Sequence, residues 1–231
     1  MRTRWFMDAG LLAALALTAQ ASTTRVDELL KSALALDANR AHGATLYQAQ
    51  CQSCHGARGT GDARNVVPAL AGQRERYLVK QLADFTELER ESSDMHKMVA
   101  AAGLDAPQAM LDLAAYLNGL PALQHPQTGD GTQLDLGEGM FQEQCASCHG
   151  HDARGDDDGF VPSLRNQHYD YLLQQMRRLA SGHRTNVDPD LVRFLDSLDA
   201  EEMSALADYL SRLHSPVKDR RRMRDDGTVA D

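Results

Sequence analysis

All four cysteines of the chain fall in two short motifs of the same form. Cys-Gln-Ser-Cys-His-Gly begins at residue 51, and Cys-Ala-Ser-Cys-His-Gly begins at residue 145. Two thiols at this spacing can add across the two vinyl groups of one porphyrin, and the adjoining histidine can then bind its iron. The motifs therefore predict two covalently attached c-type haems. The attachment residues would be Cys51, Cys54, Cys145 and Cys148, and the proximal iron ligands would be His55 and His149.

Other chemistries also use paired cysteines. A redox-active pair would need neither the following histidine nor a second copy of the motif. A four-cysteine zinc site would require the two pairs to meet, although each belongs to its own repeat unit. A structural disulfide across a two-residue gap would close a strained loop. Haem attachment agrees better with both motifs than these three alternatives do.

The chain repeats itself at a displacement of 94 residues, the distance from Cys51 to Cys145. A register held over many positions indicates two homologous domains in tandem. We place them at 41–118 and 134–215, joined by a linker at 119–133 that is rich in Gly, Pro, Gln and Thr. The repeated pairs include Gly43 and Gly137, Gly61 and Gly155, Pro68 and Pro162, Tyr77 and Tyr171, and Gln81 and Gln175.

Hydrophobic residues recur at three- and four-residue steps, as in Tyr77, Leu78, Gln81, Leu82 and Phe85, and no alternating strand pattern of useful length appears. The predicted class is therefore all-α. Residues 22–40 form an N-terminal extension with a candidate amphipathic helix, and 216–231 form a charged tail whose composition predicts disorder.

The N-terminus is typical of an export signal. Arg2 and Arg4 precede a largely apolar stretch without charge, and Ala19-Gln-Ala21 supplies a small-residue cleavage pattern. We expect cleavage of residues 1–21 after Ala21 and a periplasmic product. An uncleaved N-terminal anchor in the inner membrane is the alternative, although the apolar run is short for a span. The formal net charge of -9 argues against a nucleic-acid partner.

The sequence resembles the diheme cytochromes c of the cytochrome c4 family, which carry two class I cytochrome c domains. Besides the haem motifs, the resemblance rests on Pro68-Ala-Leu-Ala-Gly-Gln73, Tyr77-Leu78, Gln81-Leu82 and Leu113-Ala-Ala-Tyr116-Leu117. It implies an electron carrier, not an enzyme, between a donor dehydrogenase or quinol-oxidising complex and an acceptor oxidase or reductase. It also implies that the carbonyl groups of Pro68 and Pro162 accept hydrogen bonds from the proximal histidines.

The resemblance further implies a methionine as the sixth iron ligand in each domain. The family pattern is an aromatic residue, Gly-x-Arg and then Met-x-x-Met, whose first methionine binds iron. Domain 1 shows Phe85, Leu88 in the usual glycine position, Arg90 and then Met95-His-Lys-Met98. We therefore expect Met95 to bind haem 1, with Met98 as the alternative.

Domain 2 departs from this pattern. A shift of 94 residues takes Met95 to Pro189 and Met98 to Val192, and the surrounding residues 188–194 contain no sulfur. Substitute ligands would be His183, His151 or His168, although a surface position is the ordinary state of a histidine. Two functions stay open. Haem 2 either transfers electrons like haem 1, or is five-coordinate and acts as a peroxidase-like or gas-sensing site that haem 1 supplies with electrons.

Overall fold

The computed structural model describes residues 25–214, and the regular structure in this range is helical apart from three isolated β-bridges. The predicted all-α class is confirmed. The predicted signal peptide at 1–21 and the tail at 216–231 lie outside the described residues. The helices of the first half are α1 (25–34), α2 (Arg40–Leu46), α3 (Gln52–His55), α4 (Glu75–Thr86), α5 (Ser93–Ala101) and α6 (Pro107–Asn118).

The second half repeats the order of elements from α2 to α6. Its helices are α7 (Leu134–Met140), α8 (Ala146–His149), α9 (Tyr169–Ala180), α10 (Pro189–Ser197) and α11 (Ala200–Arg212). A π-helical turn precedes each haem motif, at Tyr47–Cys51 and at Phe141–Cys145. None of the helices within 25–214 is long and apolar enough to cross a bilayer.

A glycine lets the first and last helices of each domain cross closely. A Cβ atom on Gly43 of α2 would lie 2.0 Å from the carbonyl oxygen of Asp112 in α6. A Cβ atom on Gly137 of α7 would lie 2.3 Å from the carbonyl oxygen of Ala205 in α11. Both distances are well inside van der Waals contact, so any larger residue would force the helices apart. The repeated glycines therefore fix the helix pair that supports each haem motif.

Each domain has its own apolar core. Tyr47 and Met110 are fully buried in domain 1, and Phe141 and Leu206 are buried in domain 2. Domains of about 80 residues bury a modest fraction of their surface, so a large apolar cofactor adds substantially to such a core. The folds of the two halves thus suit two separate haem sites.

The linker at 119–133 is bound along domain 2. The carboxylate of Asp208 in α11 accepts hydrogen bonds from the backbone N–H groups of Gly129 (2.9 Å) and Gly131 (2.7 Å). The side chain of Gln127 donates to Asp170 at the start of α9 (2.6 Å). These contacts make the linker an ordered part of the second domain.

Candidate haem sites

The two cysteine pairs have the same surroundings in both domains. Cys51 and Cys145 are half-buried and follow the π-helical turns, whereas Cys54 and Cys148 are exposed, and all four are free thiols. Burial, together with the neighbouring cysteine, raises the pKa of Cys51 to about 11, and the pKa of Cys145 is raised to about 11 by the same causes. These two side chains are therefore neutral thiols at physiological pH.

The ring of each motif histidine is fixed by a proline carbonyl. Nδ1 of His55 lies 3.0 Å from the carbonyl oxygen of Pro68, and Nδ1 of His149 lies 3.0 Å from that of Pro162. A carbonyl oxygen only accepts, so Nδ1 donates and Nε2 keeps the lone pair that an iron ion requires. Burial lowers the pKa of both imidazoles, against a smaller opposing effect of the proline contact. Both histidines are thereby held in the neutral, ligating form.

A tight loop brings each proline to its histidine. Gly61 has φ +73° and donates its N–H to the carbonyl of His55 (3.0 Å), and a Cβ atom there would lie 2.4 Å from the carbonyl oxygen of Val67. Gly155 repeats this geometry with φ +71° and a bond to His149 (2.9 Å). Only glycine combines a positive φ with such close backbone contact. The residues of both motifs therefore fit a covalently attached haem.

Helix α5 carries the methionines of domain 1. The hydroxyl of Ser92 caps this helix by accepting a hydrogen bond from the N–H of Met95 (3.4 Å). Met95, the third residue of the helix, is half-buried and packs against the domain 1 core. Met98 lies one turn later and is also half-buried. Ligation of haem 1 by Met95 stays a prediction.

Helix α10 of domain 2 follows a register that differs from the 94-residue displacement. One residue separates Arg90 from the cap Ser92, but three residues separate Arg184 from the cap Asp188, so two residues are inserted before α10. The third residue of α10 is Leu191, which packs against the domain 2 core.

The same helix register pairs Met98 with Phe194, and it pairs the buried Val99 (1% exposed) with the buried Leu195 (2%). The positions opposite the methionines are therefore Leu191 and Phe194, not Pro189 and Val192. Neither Leu191 nor Phe194 can bind iron.

The three histidines considered for haem 2 lie in different surroundings. His183 is exposed, with Nδ1 2.8 Å from the hydroxyl of Ser181, and His151 is exposed, with Nδ1 2.7 Å from Oε1 of Gln142. His168 is buried, which its sequence did not indicate.

Both ring nitrogens of His168 have hydrogen-bond partners. Nδ1 accepts from the N–H of Gln127 (3.1 Å) and Nε2 donates to the carbonyl of Thr60 (2.9 Å). His168 thus joins the linker and domain 2 to domain 1.

Sequence reasoning missed a buried polar cluster between the domains, which is arranged about a pseudo-twofold axis. Arg90 and Arg184 form an antiparallel β-bridge, and both are 8% exposed. Each guanidinium donates to a glutamine of its own domain and to a tyrosine of the other. The distances are Arg90 to Gln81 (2.6 Å) and Tyr171 (2.8 Å), and Arg184 to Gln175 (3.0 Å) and Tyr77 (3.1 Å). The signal was in the sequence, because these polar residues recur at the repeat displacement.

One carboxylate breaks this symmetry. Asp84 is 1% exposed and accepts hydrogen bonds from Lys80 (2.7 Å), Gln81 (3.0 Å) and Asn186 (2.6 Å). The matching residue of domain 2 is Arg178, so the buried negative charge exists on one side only.

The tyrosine next to Arg184 has a perturbed pKa. Burial raises the pKa of the Tyr77 hydroxyl, but the adjacent positive charges of Arg184 and Arg90 outweigh burial, so the pKa is lowered. The interface therefore acts on Tyr77 as a site of positive charge.

Two helical domains, each with a paired-cysteine turn and a proline-fixed histidine, define a diheme c-type cytochrome. The family model for cytochrome c matches residues 40–121 and 134–214. The chain belongs to the cytochrome c family, as a cytochrome c4-like protein with two covalently bound haems c.

Individual relatives agree with this assignment. The chain is 30% identical to cytochrome c4 of Azotobacter vinelandii over 184 residues, which cover 72% of this chain and 85% of the relative. It is 30% identical to the thiosulfate dehydrogenase electron acceptor of Stutzerimonas stutzeri (strain A1501) over 182 residues, covering 74% and 82%. The structure of reduced recombinant cytochrome c4 from Pseudomonas stutzeri superposes with a TM-score of 0.68 at 28% identity, covering 77% of this chain and all of that one. An electron-carrying role follows from these relationships.

Proposed function

We propose that this cytochrome is a periplasmic electron carrier with two unequal haems. Haem 1 would be bound by His55 and Met95, and haem 2 by His149 without a sulfur ligand. The observation that carries this proposal is Leu191, which occupies in α10 the position that Met95 occupies in α5. Bound haem supplies the one-electron chemistry, while the chain supplies its ligands, burial and electrostatics.

The surroundings of haem 2 support an open sixth position. Leu191 and Phe194 on α10 are apolar and pack against the domain 2 core. His168 uses both ring nitrogens within the domain junction, and His151 and His183 are exposed with other hydrogen-bond partners. With no ligand supplied by α10, haem 2 would be five-coordinate or hold water.

Leu191 also supports a second function, in which haem 2 binds a small ligand. An apolar helix without a hydrogen-bond donor at this position suits neutral diatomic molecules such as carbon monoxide or nitric oxide. It is less suited to peroxide, whose cleavage benefits from polar groups. Haem 1 would then exchange electrons with the ligand-binding haem across the interdomain cluster.

The partners and location are argued from charge, relatives and the N-terminus. A relative named as a thiosulfate dehydrogenase electron acceptor supports a dehydrogenase of that kind as donor, and an oxidase or reductase would be the acceptor. The net charge of -9 favours partners with a basic docking surface. The basic and apolar N-terminal sequence supports export to the periplasm.

Ligation is tested on the holoprotein by absorption and electron paramagnetic resonance. The weak far-red band of a methionine-bound ferric haem should correspond to one haem per chain, next to an equal amount of high-spin haem. Met95→Ala should abolish the band and Met98→Ala, the matched control, should retain it. Two methionine-bound haems in the wild type would overturn the proposal.

Partner and location need separate measurements. Stopped-flow mixing with a purified thiosulfate dehydrogenase and thiosulfate should reduce the cytochrome within the turnover time of that enzyme. Failure of this reduction would exclude that donor class. Sequencing of the mature N-terminus from a periplasmic fraction should begin at Ser22, and retention in the membrane fraction with an intact N-terminus would support the anchored alternative.

A further inference from the structure

Helix α1 is fastened to both ends of the segment that carries Met95. At its first described residue, Nε of Arg25 donates to Oε1 of Glu87 (2.7 Å), just after α4. Beyond its end, the carbonyl of Asp37 accepts from Nε2 of Gln108 (2.9 Å), in the first turn of α6. All of α5 lies between Glu87 and Gln108 in the chain. The N-terminal segment therefore bridges the two ends of the methionine-bearing segment.

The apolar face of α1 lies in the domain 1 core. Val26, Leu30 and Ala33 lie on one face of the helix and are 8%, 8% and 0% exposed. They belong to the same buried cluster as Val99 of α5 and Leu104 of the loop that follows it. The ion pair of Arg25 is largely exposed and adds little, so the buried face supplies most of the binding.

Domain 2 provides an internal comparison. The segment that precedes it, 119–133, is hydrogen-bonded at its beginning to the end of α6 and at its end to α7. Its other described hydrogen bonds outside the segment go to residues near the start of α9 and along α11, not to the segment around α10. The helix-supported segment is the one that carries Met95, and the segment without this support carries Leu191. The domain whose segment is supported by a preceding helix is thus the domain that carries the methionine.

We propose that α1 is a positioning strap that holds the Met95 segment closed over haem 1 and limits how often Met95 leaves the iron. The proposal rests on Met95 being the ligand. Displacement of such a ligand requires local opening of its segment, and opening costs more when the segment is packed against a further helix. Loosening α1 should therefore speed the entry of an external ligand at haem 1.

The test uses the oxidised holoprotein and cyanide as the probe. Haem 2 should bind cyanide in a fast phase and haem 1 in a slow phase limited by opening. Leu30→Ala removes buried contacts of α1 and should increase the slow rate by about tenfold or more. The pH at which the far-red band disappears should also fall. Arg25→Gln should change the slow rate by less than about twofold, because its ion pair is exposed.

Leu117→Ala is the matched control, because Leu117 is buried in the same core but lies at the end of α6 farthest from Gln108. It should lower the melting temperature without accelerating the slow phase. If Leu30→Ala lowers the melting temperature but leaves the slow rate and the band unchanged, α1 only contributes packing and the strap is refuted. If Met95→Ala retains the band, the assigned ligand is wrong, which is a failure of the proposed function and is visible without any variant of α1.

Discussion

The substitution Leu191→Met should give haem 2 a thioether ligand. Leu191 and Met95 are both third residues of capped helices, and both pack against the core of their domain. Leucine and methionine have similar volumes and helix propensities, so the exchange should cost less than about 1.5 kcal/mol of stability. The variant should therefore fold and present sulfur at the position that haem 1 uses.

The size of the spectroscopic change follows from the haem count. The wild type should have one methionine-bound haem of its two, and the Leu191→Met variant should have both. The far-red absorption per protein should therefore double. The high-spin signal, which should account for half of the haem in the wild type, should nearly vanish. The fast phase of cyanide binding should slow toward the phase of haem 1, and the potential of haem 2 should rise because a thioether favours the ferrous state.

Two controls separate the helix register from the 94-residue displacement. Pro189→Met and Val192→Met place sulfur at the positions that the displacement pairs with Met95 and Met98. Val192 lies about 100° around the helix from Leu191, so its side chain should not reach the same place. Restoration of the band by Val192→Met and not by Leu191→Met would refute the structural register. A wild type whose far-red band already corresponds to two haems per chain would refute the premise that haem 2 lacks a thioether ligand.

Four further outcomes are expected. The double substitution Cys145→Ala, Cys148→Ala should leave one haem per chain after acid–acetone extraction; zinc or titratable thiols in the untreated wild type would contradict haem attachment. The association rate with a basic partner should fall as salt rises, since the screening length is about 10 Å at 0.1 M; a flat dependence measured by stopped flow would exclude electrostatic steering. Burial raises the pKa of Tyr47 to about 12, so the unfolded chain loses this proton first and the free energy of unfolding should fall as pH rises above about 10. Tyr47→Phe should weaken this pH dependence of the free energy of unfolding, measured by denaturant titrations at pH 9 to 11. An unchanged pH dependence would mean that another group causes it. Gly137→Ala should destabilise domain 2 by more than about 1 kcal/mol, because its Cβ would lie 2.3 Å from the Ala205 carbonyl oxygen; thermal melts followed at each haem should show domain 2 opening first, and an unchanged melt would mean that α7 and α11 can separate freely.

The haem motifs and the domain pair were predictable because they depend on local spacing. Covalent attachment needs two thiols and a histidine within five residues, so Cys51 to His55 carry the whole signal. The proline contact was implied by the family resemblance, and the structure shows it at 3.0 Å in both domains. The all-α class followed from hydrophobic periodicity, which reports burial of one helix face.

Other features depend on distant packing and were not readable from spacing. The two residues inserted before α10 shift its register, and no methionine marks the correct alignment. His168 resembles an ordinary surface histidine in sequence, yet the linker and Thr60 bury it. The Arg90 and Arg184 cluster forms only when two separate domains meet, so the recurrence of its polar residues at the repeat displacement did not reveal it.

The structural differences between the domains bear on where an electron resides. Arg90 and Arg184 make equivalent contacts on the two sides of the interface. Domain 1 differs from domain 2 in having α1, Asp84 and, at the position of Leu191, Met95. Under the proposed ligand sets, thioether ligation raises the potential of haem 1 above that of haem 2. A buried carboxylate such as Asp84 would favour the oxidised state of a haem close to it, but Lys80 and Asn186 donate hydrogen bonds to it directly and reduce that effect. With these proposed ligands, the ligand difference would set the order of potentials, and an electron entering through haem 2 would pass to haem 1 and stay there until a partner accepts it.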